Sequence, residues 1–429
     1  MQLIAYVVIS SFLRIAPLLA APLSIVAAQH HQTGHARTAA HDSISVMATA
    51  LSTTVSPALA GRARTELQFT QPMITIRGAR LEGAMQYSVM LNAERWSMPD
   101  GEPVPGIWGE GFVERRHPHT VLHEVMLSGA LHRGRLRASL AGGRGFVPFG
   151  TDDPMARPFT KYPANHHLSQ VMERIQLVAA LRVHERVAIE LATFNGDEPL
   201  SPTSAPQWSR FGDSHAMRLT VWPRDALEIQ ASAASVRSPE FVQPDGLDQR
   251  KFNASVRVTP SRGAMQYALV EWSQTDERYG GRQIVTYGSG LAEALLRSGL
   301  WSLAARAEQT TRPEDERLLD PFRTARPPNH LVIQGMTRWR IASVQLARSV
   351  HIGSGVHTTV FGELSHALST PLLRPVLLDP RDIIGANTAW FATAGVRIGA
   401  GNMASRAGRY GVAAGALGTN ASLTMQRAH

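Results

Sequence analysis

The chain has 429 residues, 44% of them hydrophobic, and no cysteine. A disulfide framework, a thiolate metal site and a cysteine nucleophile are therefore excluded. Basic side chains outnumber acidic ones, 43 against 34, for a formal charge of +9. The charges are spread through alternating runs and form no patch, which argues against nucleic acid as a partner.

The N-terminus carries Arg14 and then an apolar run from Ile15 to Ala28 that ends in the small residues Val26, Ala27 and Ala28. Residues 1–28 read as a secretory signal peptide. A membrane anchor is the competing reading, against which Pro17, Pro22 and the shortness of the run count. No later stretch offers about 18 uninterrupted apolar residues, so further helical spans are not expected. Residues 29–64 read as a polar linker holding His30, His31, His35 and His41. A barrel is expected over 65–400 and a periplasmic tail over 401–429.

The stretch HAMRLTVWPRDALEIQASA, residues 215–233, shows the figure that recurs down the chain. Leu219 and Val221 oppose Arg218 and Thr220. After Pro223-Arg224-Asp225, Leu227, Ile229, Ala231 and Ala233 oppose Glu228, Gln230 and Ser232. Period two means strands with one apolar and one polar face, and a short Pro/Asp gap means a tight antiparallel turn. The pattern predicts strands near 84–96, 120–131, 134–142, 169–183, 186–194, 213–222, 226–236, 250–259, 264–274, 282–296, 300–310, 330–349, 355–366 and 387–399. That is fourteen; twelve to sixteen fit the same alternation, and a first strand starting near Glu66 is one alternative. Residues 330–349 are long for one strand, and the alternation slips at Trp339-Arg340-Ile341. A bulge, or a strand rising above the membrane, is expected there.

Short and long connections alternate, and all 26 prolines fall outside the strands so drawn. Sorted connections and an even strand number describe an all-β, transmembrane, antiparallel up-and-down β-barrel. Short turns face the periplasm and long loops the exterior. The apolar faces meet outer-membrane lipid and the charged faces line a watery lumen. Trp222, Tyr267, Trp272, Trp301 and Trp390 are expected in interfacial girdles.

ERRHPHTVLHEVMLSG (114–129) resembles the Arg-x-His-Pro-His segment of a family of bacterial outer-membrane porin-like proteins of unassigned activity. HHLSQVMERIQLVAALRVHERVAIELATFNGDEP (166–199) is similar to that family's following strand–turn–strand. The resemblance spans roughly residues 82–275. It implies export, a barrel and the outer membrane, and no activity. Thr120 stands where that family often carries an acid.

Two candidate sites follow from the residues. The polar faces carry Arg135, Arg137, Arg182, Arg186, Arg218, Lys251, Arg257, Arg306 and Arg397, against Glu124, Glu190, Glu228 and Glu308, as pore-lining groups. His117 and His119 share one face of an extended segment and His123 follows; imidazoles suit zinc or copper. Glu114, His166 and His167 would complete that site only through loop folding, and the alternative is an ordered loop anchor. FGDSH (211–215) resembles a hydrolase serine motif, but a strand follows Ser214 where that motif needs a helix. GTDDP (150–154) lacks the further carboxylates of a calcium loop. No zinc-protease helix, P-loop or dinucleotide fingerprint is present, so no cofactor is expected. The function expected is passage of small polar solutes or ions, weakly anion-selective. The alternatives are a barrel enzyme acting on lipid and a non-conducting structural or metal-capture barrel.

Overall fold

A computed structural model describes residues 42–57, 65–98, 119–151, 157–159, 166–199, 201–239, 243–314, 335–352, 355–372, 385–401 and 408–414. Among them sixteen antiparallel strands close into one barrel in sequence order. They are β1 (Ser43–Ser56), β2 (Thr65–Arg80), β3 (Met85–Asn92), β4 (Leu122–Arg133), β5 (Leu136–Gly145), β6 (Arg174–Val183), β7 (Val187–Phe194), β8 (Ser214–Arg224), β9 (Leu227–Val236), β10 (Asp248–Val258), β11 (Met265–Tyr279), β12 (Arg282–Ser298), β13 (Trp301–Glu314), β14 (Gly335–His351), β15 (Val356–Pro371) and β16 (Thr388–Ala400). β1 closes the ring on β16, from Val46 opposite Ala400 to Ser56 opposite Trp390. Closure leaves no edge strand, which is what hydrocarbon requires of a sheet. No helix of the described residues is long and apolar enough to cross a membrane.

The facing follows the alternation. On β10 Lys251 is 4% exposed and Val256 44% exposed. Lys251, Asn253 and Ser255 point inward, while Phe252, Ala254 and Val256 point out. Trp272, Trp301 and Trp390 also point outward. Tyr267 and Trp222 do not belong to the expected girdle. Tyr267 is buried in the lumen and donates to Glu293; Trp222 donates from the lumen side to Glu228.

The count of sixteen lies at the top of the expected range. The extra strands are β1, inside the stretch expected as a linker, and β2. β1 bulges against β2, because Met47 faces Met73 and Thr49 faces Thr70. Gln71 and Pro72 thus share one partner position, which is how a proline sits inside a strand. β11 runs on to Tyr279 and meets β12 through Gly280-Gly281, both at positive φ, where a longer loop was expected. Two glycines at positive φ suit a two-residue hairpin turn. Residues 335–351 form one regular strand with inverted chemistry at its upper end. Trp339 and Ile341 are buried in the lumen and Arg340 points out. No bulge is needed, because the register runs unbroken: Trp339 lies between the inward Thr310 and Ser369, and Ile341 between Glu308 and Ala367.

The wall is uneven. β3 to β10 have 8 to 12 residues, and β11 to β16 with β1 and β2 have 13 to 17. Two segments of chain lie inside the barrel, both anchored on its low side.

The lumen and its two inserted segments

The first insert is the connection between β5 and β6. Its described parts are residues 146–151, 157–159 and 166–173, with a one-turn helix α1 at His166–Ser169. The arms of the connection meet where Val147 donates to the carbonyl of Val171 (2.9 Å). A Cβ at Gly150, φ 78°, would lie 1.7 Å from the Ser169 carbonyl oxygen, so only glycine permits the crossing. From there the insert touches successive walls. The Gly150 amide donates to Ser232 Oγ on β9 (2.9 Å). Thr151 and Arg157 both donate to Glu271 on β11, at 2.6 and 2.9 Å. The Arg306 guanidinium on β13 stacks 4.3 Å from the Phe159 ring, and Arg397 on β16 donates to the Pro158 carbonyl (3.4 Å). The insert therefore spans the lumen from the low wall to the high one.

The second insert was expected as a periplasmic tail. β16 ends at Ala400 on the short-turn side, paired with Val46 and Val356. Yet Gly408–Ala414 lies inside the barrel, against β4 to β9, the wall opposite β16. Tyr410 Oη accepts from the Phe146 amide (2.9 Å) and donates to Glu124 (2.8 Å). Burial first, then the Glu124 charge, push this phenol well above its usual range, so it remains a donor. Arg409 donates to Thr220 Oγ1 (3.1 Å), Glu228 (3.2 Å) and the Thr151 carbonyl (3.4 Å). The Val412 amide donates to Ser139 Oγ (3.0 Å), and its carbonyl accepts from Arg182 (3.4 Å). Tyr410 joins Met126, Val147, Phe149, Val178 and Phe194 in one buried cluster; Val412 and Ala413 pack on Ala130 and Ala180.

Arg218 ties the inserts to the wall. It bonds both oxygens of Glu190 (2.6 and 2.7 Å) and donates to the carbonyls of Gly150 (3.2 Å) and Gly408 (2.9 Å). Of the thirteen residues expected to line the pore, Glu124, Arg137, Arg182, Glu190, Arg218, Glu228, Lys251, Arg257, Arg306, Glu308 and Arg397 face the lumen. Arg135 and Arg186 do not. Arg135 sits in the β4–β5 turn beside His184, and Arg186 pairs with Asp225 at the rim (2.8 Å). Both lie too near the strand ends to reach inward. Several lumen cations meet acids directly: Arg306 meets Glu293 (3.5 Å) and Glu308 (3.6 Å), and Arg137 and Arg182 both meet Glu185. Lys251 donates to Gln249 and Thr275, and Arg257 stacks on Tyr267.

The histidines are partly brought together. His117 and Glu114 lie outside the described residues. A second short helix, Glu94–Ser97, places Glu94, which accepts from the backbone amides of Gln71 and His119 and faces His119 Nδ1 at 3.0 Å. His123 Nδ1 faces Glu173 at 2.6 Å, and the two imidazoles stack edge-on at 4.9 Å. Thr120 donates to Glu173 through both its amide and its hydroxyl. Burial opposes the Glu173 charge, but the His123 hydrogen bond and the charges of His123, His119 and Arg144 outweigh it. They hold the carboxyl far below the usual range. Among the described residues no three His, Cys, Asp or Glu converge as a metal site. Ser214 is buried; it donates to Asp213 (2.7 Å) and accepts from the Arg237 amide (3.0 Å), the work of a strand-end clamp.

Sequence reasoning missed Glu271, Glu293, Arg157, Arg409 and Tyr410. For the last two there was a signal: an Arg-Tyr pair between glycines, after a final strand that does not end the chain.

No family model matches the chain, and no curated protein matches it. Solved structures do. A loop L8 deletion mutant of OmpT, an outer membrane protein of Vibrio cholerae, aligns at TM-score 0.50 and 7% identity, over 84% of this chain and 99% of that one. An anion-selective porin from Comamonas acidovorans aligns at 0.49 and 11%, over 84% and 100%. The outer membrane channel DcaP of Acinetobacter baumannii aligns at 0.49 and 7%, over 85% and 98%. At such identities the likeness is one of fold. The chain thus shares with these outer-membrane proteins a closed antiparallel barrel, and its outward face is apolar.

Proposed function

We propose that this barrel passes small polar solutes or ions across the outer membrane, with a weak preference for anions. The observation that carries passage is the inner face of the tall wall. Thr275, Ser273 and Glu271 on β11, Thr310, Glu308 and Arg306 on β13, and Ser369, Ser365 and Glu363 on β15 all turn inward. A barrel that only needed a packed core would not carry such polar ladders along three strands. The anion preference rests on Arg218, Lys251, Arg257, Arg306 and Arg397, because cationic linings favour anions. It is weak, because Glu190, Glu293 and Glu308 sit against two of these cations and cancel much of their field at close range.

Planar-bilayer recording tests both parts. In a potassium chloride gradient the reversal potential should carry the sign of anion preference and shrink as salt rises. A cation-preferring sign overturns the selectivity. No current from the native chain, nor from a chain ending at Ala407, overturns passage itself.

A further inference from the structure

The low wall of the lumen binds a piece of backbone as specifically as it binds side chains. Within Gly408–Ala414 the Gly408 carbonyl, the Val412 amide and the Val412 carbonyl are each met by a wall side chain: Arg218, Ser139 and Arg182. The two long side chains have matched seats. The Arg409 guanidinium lies against the Glu228 carboxylate, which the Trp222 indole also holds (2.9 Å). The Tyr410 phenol lies between Glu124 and the Phe146 amide. At Gly411, φ 54°, a Cβ would lie 2.2 Å from Ser139 Oγ, so the backbone presses on the wall where a side chain would not fit. The segment is not a strand of the barrel and contributes nothing to its closure. Its contacts come from β4 to β9 and from the first insert, all on one side of the lumen.

We propose that Gly408–Ala414 is a tethered plug, and that the wall formed by Glu124, Ser139, Arg182, Arg218 and Glu228 is a binding site for a short peptide that carries an Arg-Tyr pair and ends in a 3-10 turn like that of Gly411–Ala414. The inference rests on the reading of the barrel as a channel. The plug narrows the passage by occupying the low side of the lumen while the β5–β6 insert reaches the high wall. Arg218 and Arg409 join plug and insert through Gly150 and Thr151. Leaving the site therefore breaks contacts to both wall and insert, and the seat it vacates exposes two carboxylates. A free peptide of the same chemistry would occupy that seat.

The test compares three proteins in planar bilayers: the native chain, a chain ending at Ala407, and Gly411→Val. Each is checked for a folded barrel by heat-modifiability. The truncated chain and Gly411→Val should both conduct more per channel than the native chain. A synthetic peptide of residues 408–414, added on the short-turn side, should lower the current of the truncated chain toward the native level. The same peptide with Arg409→Ala and Tyr410→Phe should leave that current unchanged. Should the truncated chain fail to fold, Gly411→Val carries the comparison. Equal conductance in the native chain and the variants, or equal block by both peptides, overturns the plug and leaves the channel reading standing. Silence from all three proteins overturns the channel reading and the plug with it.

Discussion

Removing Arg218 should destabilise the barrel far more than removing an ordinary surface arginine. Its guanidinium makes two short bonds to Glu190, and the side chains of the pair are 2% and 1% exposed. Replacing Arg218 by Met leaves the Glu190 carboxylate buried without its counter-charge. Breaking one side of such a pair costs about 3–5 kcal/mol, because the remaining charge keeps its desolvation penalty and loses its compensation. A lumen that admits some water places the cost near the lower end, about 3 kcal/mol. Arg218→Met with Glu190→Gln removes both charges, so the double variant should recover much of the loss; that recovery is the coupling between the two sites. Urea titration of each variant refolded into lipid vesicles reads the four corners of the cycle. A cost for Arg218→Met under about 1 kcal/mol would mean that the pair behaves as a solvated one, and the buried clamp would be refuted.

Val256 lies one residue from the centre of the outward apolar run Phe252 to Val258. Val256→Arg should cost about 2–4 kcal/mol in the same urea titration, as a charge near the bilayer midplane does; no shift of the midpoint would reverse the facing of β10. Glu173→Gln should destabilise at neutral pH, and the gap to the native chain should close in acid. The folded carboxyl titrates far below its usual range, so its contribution is present above the unfolded value of about 4.3 and is lost progressively as pH falls below it. Thermal melts at pH 7 and pH 3 that show the same gap would sink that account.

Much of the barrel was legible because its grammar is local. On β9 and β10, residues i and i+2 share a face whatever the rest of the chain does, so Ile229 and Val256 could be assigned to lipid and Gln230 and Ser255 to the lumen from neighbours alone. The sorting of short and long connections is equally local. β1 escaped because its inward set mixes Ser45, Thr49 and Thr53 with Met47, Leu51 and Val55. Met47 packs on Met73, Met90 and Phe146, and Leu51 on Phe361, so inward positions there are apolar and the contrast between faces disappears. On β14 the contrast is inverted instead, with Trp339 and Ile341 inward and Arg340 outward. For the histidines, the spacing placed His119 and His123 near one another, but their partners Glu94 and Glu173 come from other connections.

The sequence alone determined a two-faced barrel with a charged inner surface. The tertiary structure alone decided what fills that surface. Tyr410 meets Phe146 across 264 residues of chain and Glu124 across 286. Arg218, a lumen charge by its alternation, becomes a clamp as well only because Glu190, Gly150 and Gly408 arrive beside it. Strand alternation is written in neighbours two residues apart, whereas the contents of the lumen depend on which distant segments can bury their polar groups against one wall, and no local pattern encodes that choice.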